Sequence, residues 1–166
     1  MTPMQDNWLD IIREQDERLR FDGFTHRDAL QIGLNAIQWG ERFGKGFAIR
    51  VVAEGMILFS HHMDGTGLFH DWYLDKKLNA SREAGISTLR LFCEISSGER
   101  PKPAYLENAG NYAMDGGCVP MRTRDGRVFG WVLASGGPHE EDHEVATRAN
   151  AQFLGIEVPA VCAPQA

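Results

Sequence analysis

Apolar residues recur at helical spacing over residues 7–19, where Trp8, Ile11, Ile12 and Leu19 fall near one face and acids and arginines occupy the rest. Thr25 stands where a cap is needed for a second helix. That helix carries Ala29, Ile32, Gly33, Ala36 and Ile37 at the same period and stops near Gly44. Its small residues predict close packing against a sheet. The period then shortens. "FAIRVVA" and "MILFSHH" are rich in β-branched and aromatic residues, and Glu54-Gly55 joins them as a hairpin. "GTGLFHDWYLDKKLNASREAG" returns to a helical pattern that Gly85 ends, and "STLRLFCEISS" predicts a further helix opened by Ser87. Residues 98–117 are irregular apart from one helical turn near Tyr105.

The last third is punctuated most densely. Residues 119–124 and 127–134 read as strands, with Asp125-Gly126 between them as a type I′ turn, in which both central residues take positive φ. Pro138 starts a helix with Glu140, Glu141 and Asp142 in its first turn, where acids complement the positive end of the helix dipole. Val145, Ala149 and Phe153 mark its buried face and Gly155 its end. The elements predict an α+β fold: a central antiparallel sheet built from two hairpins, with flanking helices. The strand "VFGWVLA" is apolar on both faces, so both need cover. Covering helices would serve, or a second subunit; the pattern favours the subunit, and with it a homo-oligomer.

Composition narrows the function classes. A chain of 166 residues without internal repeat or low-complexity linker predicts one domain over residues 1–166, with an irregular tail over 156–166. A net charge of −6 with no basic stripe argues against nucleic acid or an anionic membrane surface as partner. The apolar runs are too short or too interrupted to span a bilayer. The N-terminal stretch is polar and acidic, unlike a signal peptide, which predicts a cytoplasmic protein. Cys93, Cys118 and Cys162 lack metal-site spacing and read as free thiols.

The stretch "NYAMDGGCVPMRTRDGRVFGWVLASGGPHEEDHEVATRA" resembles the C-terminal signature of the HbpS/GlcG-like, or haem-degrading-domain, proteins, in a branch with an extra N-terminal helix. Gly116, Gly117, Pro120, Gly126, Gly130, Ser135, Gly136, Asp142 and His143 match that pattern in order. Gly137 departs from it, standing where the pattern has an apolar residue. Upstream, Trp72 with Lys76, and Ser96 with Ser97, resemble the branch's tryptophan–lysine and Ser-Ser segments. The resemblance implies a profilin-like or PAS-like fold, a homo-oligomer, and haem or a related tetrapyrrole as ligand.

Each candidate residue carries two readings. The Gly116-Gly117 amides could cradle a ligand carboxylate, or simply turn the chain into the strand. His143 has acidic neighbours that would raise its basicity, making it an iron or metal ligand; otherwise it is a helix-surface histidine. His61, His62, Asp64 and His70 could gather around a divalent metal, although adjacent histidines on a strand face opposite ways. Trp72 and Lys76 share a helix face, wall and counter-charge for a propionate, in a pocket expected between sheet and helix. Cys118 reads as an inert buried thiol more readily than as an iron ligand. Ser135 and Gly136 complete the expected ligand-binding set. Three functions follow: an oligomeric ligand-binding protein, an enzyme acting on haem or a small metabolite through His143 or the other histidines, or a scaffold without small-molecule chemistry.

Overall fold

The computed structural model describes residues 1–165; Ala166, the last residue of the expected irregular tail, lies outside the described residues. Helices α1 (Trp8–Arg18), α2 (His26–Arg42), α3 (Leu68–Ala84), α4 (Thr88–Ser96) and α5 (His139–Leu154) surround strands β1 (Arg20–Phe21), β2 (Ala48–Ala53), β3 (Met56–His62), β4 (Cys118–Thr123) and β5 (Val128–Ser135). The strands form one sheet in the order β1-β4-β5-β2-β3. Both expected hairpins are present and antiparallel, and β2 pairs with β5 to join them. The sheet is mixed, not purely antiparallel, because β1 adds to β4 in parallel. Two residues are too few for a period to show in the sequence.

The helix starts follow local chemistry. Thr25 and Asp28 cap α2 reciprocally, each side chain accepting from the other's backbone amide. Ser87 accepts from the Arg90 amide at the start of α4. Gly85 and Gly155 end α3 and α5 in the left-handed conformation. The expected type I′ turn at Asp125-Gly126 is absent: of its two residues only Gly126 has positive φ, and the strands stop at Thr123 and Val128, leaving four linking residues. The I′ geometry sits instead at Glu54-Gly55, with φ of 52° and 78°.

Both faces of β5 are covered by helices of the same chain. Val132 and Ala134 pack with Ile49, Val51, Ala36 and Val145 beneath α2 and α5. On the other face Leu133 packs with Ala48, Val52, Leu74, Leu78 and Cys118 beneath α3, and Trp131 leans on that cluster. The apolar two-faced strand is therefore satisfied by three layers within one chain, and its pattern does not call for a second subunit. Phe59 of β3 lies directly over Gly33 of α2, where any Cβ would clash at 2.3 Å from the ring. Helix α1 packs against α4 through Trp8, Leu9, Ile12, Leu89 and Phe92.

A sealed ion pair beneath an aromatic-rimmed cleft

Strand β5 ends in Ser135-Gly136-Gly137-Pro138 and the chain turns directly into α5. The turn is held from inside. Asp142, in the first turn of α5, accepts through Oδ1 from the amides of Gly136 at 3.0 Å and Gly137 at 2.9 Å. Its Oδ2 accepts from Lys77 Nζ at 2.7 Å, and Lys77 also donates to the Ala134 carbonyl at 3.1 Å. Lys77 is 1% exposed and Asp142 3% exposed, so a whole ion pair is shut under the cleft floor. Burial pushes the Asp142 carboxyl up, opposed first by the Lys77 charge and then by the two amides. Such a pair adds little net stability, but losing one partner strands the other charge in low dielectric.

Above this pair lies a cleft of about 390 Å³ between the first turns of α3 and α5. Phe69, His70 and Tyr73 form one wall, and Ser135, Gly136 and His139 lie across from them. Phe69 and Tyr73 rings meet at 4.8 Å, and the Lys76 ammonium stands 5.2 Å from the Tyr73 ring centroid at the rim. Leu68, Phe69 and Trp72 are 63%, 60% and 55% exposed, so the start of α3 presents apolar surface that nothing in the described chain covers.

The histidines divide by their hydrogen bonds. His139 accepts from the Gly116 amide at Nδ1 (3.4 Å) and donates from Nε2 to the Thr2 carbonyl at 2.8 Å, which fixes one neutral tautomer. It stands edge-on to Trp8 and Phe92, and burial lowers its pKa. His70 accepts from the Gly67 amide at Nδ1 (3.0 Å), capping α3 and leaving its proton on Nε2. His143 donates to Gln15 Oε1 at 2.8 Å and is 1% exposed. Gln15 in turn donates to Glu144.

The structure thus corrects several expectations. His143 is not a surface histidine: it is 1% exposed, burial pulls its pKa down to about 3, and the neighbouring acids that were to raise its basicity do not face it. Nor does it line the cleft, where the enzyme reading needs an acid–base group. Gly116 and Gly117 are buried, not exposed. A Cβ on Gly116 would lie 2.3 Å from the His139 carbonyl, and one on Gly117 2.3 Å from the Ala134 carbonyl. They permit close packing rather than cradle an anion. The Gly136 amide is likewise spent on Asp142, and its Cβ position is filled by the Gly46 carbonyl.

Trp72 and Lys76 do not line a pocket between sheet and helix, because Lys77, Leu74 and Leu78 occupy that space. They face outward, beside a shallow depression shared with Asn79 and Asn111. His61 and His62 sit in the wall of a separate open hollow with Asp64, while His70 lies in the cleft. Among the described residues no three His, Cys, Asp or Glu side chains are grouped to hold a metal ion. Cys118 is fully enclosed, and burial pushes its thiol up to about 12.

Lys77, Phe69, Tyr73 and His139 are the site residues that sequence reasoning passed over. Lys77 did leave a signal. It lies three residues after Leu74 and four before Ser81, on the apolar face of α3, whereas Lys76 does not.

Helices on both sides of this five-stranded sheet, joined through a glycine-rich turn into α5, are the architecture of one family. The family described as haem degrading protein HbpS-like matches residues 24–151, and the chain belongs to it. The chain is 31% identical over 157 residues to the UPF0303 protein BMEI0598 of Brucella melitensis biotype 1, covering 94% of this chain and 92% of that one. Among solved structures it is similar to Ybr137w, with a TM-score of 0.77, 23% identity and coverage of 91% and 90% of the two chains. It is also similar to PduOC, solved as a haem complex, with a TM-score of 0.66, 20% identity and coverage of 83% and 98%.

Whether the cleft suits haem is decided by its own donors. The aromatic wall of Phe69 and Tyr73 offers apolar surface, and Lys76 is the cation in contact with the Tyr73 ring. None of His70, His139 and His143 offers a free ring nitrogen lone pair to iron, because each acceptor nitrogen is either capped by an amide or sealed in the core. Among the described residues no helix is long and apolar enough to cross a membrane.

Proposed function

We propose that this chain is a ligand-binding protein that takes a haem-type tetrapyrrole at the mouth of the α3–α5 cleft. The single observation behind this reading is the aromatic wall of exposed Phe69 and half-buried Tyr73 above a floor closed by Lys77 and Asp142. Phe69 and Tyr73 would hold the ring by its apolar faces, and Lys76, beside Tyr73, its carboxylates. Bound haem would supply iron chemistry; the residues here bind and orient the ring without a histidine–iron bond. Ser135 and Gly136 shape the floor.

The mouth is open on one side, and a second copy of the chain closing over it gives the ring its other wall. Self-association belongs to the proposal for that reason, supported by the uncovered Leu68 and by Met56 and Ile57 at the free edge of β3. A cytoplasmic setting is supported by three free cysteines.

Hemin titration followed at the Soret band tests this. Saturable binding is expected, with a spectrum lacking the histidine-ligated signature. Phe69→Ala with Tyr73→Ala weakens it by roughly tenfold or more, and His143→Gln leaves the bound spectrum unchanged. Absence of binding, or a histidine-ligated spectrum abolished by one histidine substitution, would overturn the reading.

A further inference from the structure

At the opposite end of β5, ~20 Å from the cleft by strand rise, the sheet carries a second and larger hollow of about 550 Å³. One wall is aromatic. Phe21 packs edge to face on Phe24 and Phe129, which are tilted on each other, with centroids at 5.0–6.3 Å, and Trp131 continues the surface round the strand. Two arginines stand among the other groups of the wall. The Arg82 guanidinium lies over the Trp131 ring at 5.1 Å, and Arg127 stands at the start of β5.

Two carboxylates share the wall with these arginines. Asp22 is engaged by two guanidinium nitrogens of Arg124, Nε and Nη2, and Glu54 is the one other carboxylate in the wall. Among the described residues neither Arg82 nor Arg127 has a carboxylate within ion-pair distance. With Asp22 held by Arg124, the guanidiniums of Arg82 and Arg127 stand beside four aromatic rings with Glu54 in the same wall and Asp125 near Arg127, and neither makes an ion pair of its own. Thr123 adds a hydroxyl to the same wall. A guanidinium already stacked on an indole presents its edge N–H groups to an oxyanion while its face stays apolar.

We propose that this hollow is a second ligand site, selective for small aromatic anions: a carboxylate, sulfonate or phosphate held by Arg82 and Arg127, with its ring against Phe129 and Trp131. Phenyl or fused-ring acids match it in chemistry and size. The site shares no residue with the cleft, so its occupation and that of the cleft are separable.

Anilinonaphthalene sulfonate provides the probe, with uncharged phenylnaphthylamine as its control. Fluorescence titration of the full chain is expected to show saturable binding of the anion and at least tenfold weaker binding of the neutral analogue. Arg82→Gln with Arg127→Gln reduces affinity for the anion by roughly tenfold or more. Both arginines are exposed, and thermal melts verify that the variant is folded. Phe69→Ala, in the cleft, leaves anion binding unchanged. Equal binding of neutral and anionic probes, insensitivity to loss of both arginines, or loss of binding in Phe69→Ala overturns the proposal whatever the hemin result.

Discussion

Lys76 and Lys77 are neighbours in sequence with opposite environments. Lys76 keeps its ammonium near the cleft rim, while Lys77 is locked to Asp142 and the Ala134 carbonyl beneath the floor. Truncating Lys77 leaves the Asp142 carboxylate buried against two amides and no cation. Lys77→Ala is therefore expected to cost ~3–5 kcal/mol in urea unfolding. Lys76→Ala, at a surface position, should stay within about 0.5 kcal/mol. Similar losses in both would refute the sealed pair. Pairing Trp72 with Lys76 rested on the family resemblance and on the four-residue spacing, which finds a shared helix face but not which way it points. Reading Leu74, Lys77, Leu78 and Ser81 as the inward set selects Lys77. The partner Asp142 was legible as part of a family pattern, but the contact between residues 77 and 142 crosses two helices and no local signal announces it.

At the scale of elements, helices and hairpins were largely legible because their signals are local: caps at Thr25 and Ser87, stops at Gly85 and Gly155, β-branched runs in β2. Turn type was not. Asp-Gly has the stronger preference for a I′ turn, yet pairing of Ala53 with Met56 leaves two residues at Glu54-Gly55, and loop length decides. Glu54 therefore holds φ of 52°, a conformation that costs a residue with Cβ ~1 kcal/mol or more. Glu54→Asn, which tolerates this region better, is expected to raise unfolding free energy by ~0.5–1 kcal/mol with an unchanged denaturant slope. A loss of stability would place the strain elsewhere. Strand β5 teaches a related lesson. Its two apolar faces were read correctly as needing cover, but sequence does not say whether the covering layer is intramolecular. Here α3 supplies it.

At the scale of the whole molecule, the fold brings the first turns of α3 and α5 to one end of the sheet and leaves aromatic side chains of α3 uncovered there. The arginine-rich hollow takes the other end. Of the histidines that drew attention in the sequence, His70 caps a helix, His143 is a core residue and His61 and His62 are exposed on a strand, because an imidazole pattern carries no information on burial. Conversely, the cleft's aromatic rim is ordinary in sequence and becomes a candidate site only through exposure. The central claim is that the ligand binds at this mouth, and hydrogen–deuterium exchange with and without hemin tests it most directly. Slower exchange confined to residues 67–77 and 135–139, with the β3 edge at 56–62 protected only through assembly and therefore alike in both states, is the predicted result. Hemin-dependent protection at 56–62 or around residues 127–131, with 67–77 unchanged, would contradict it.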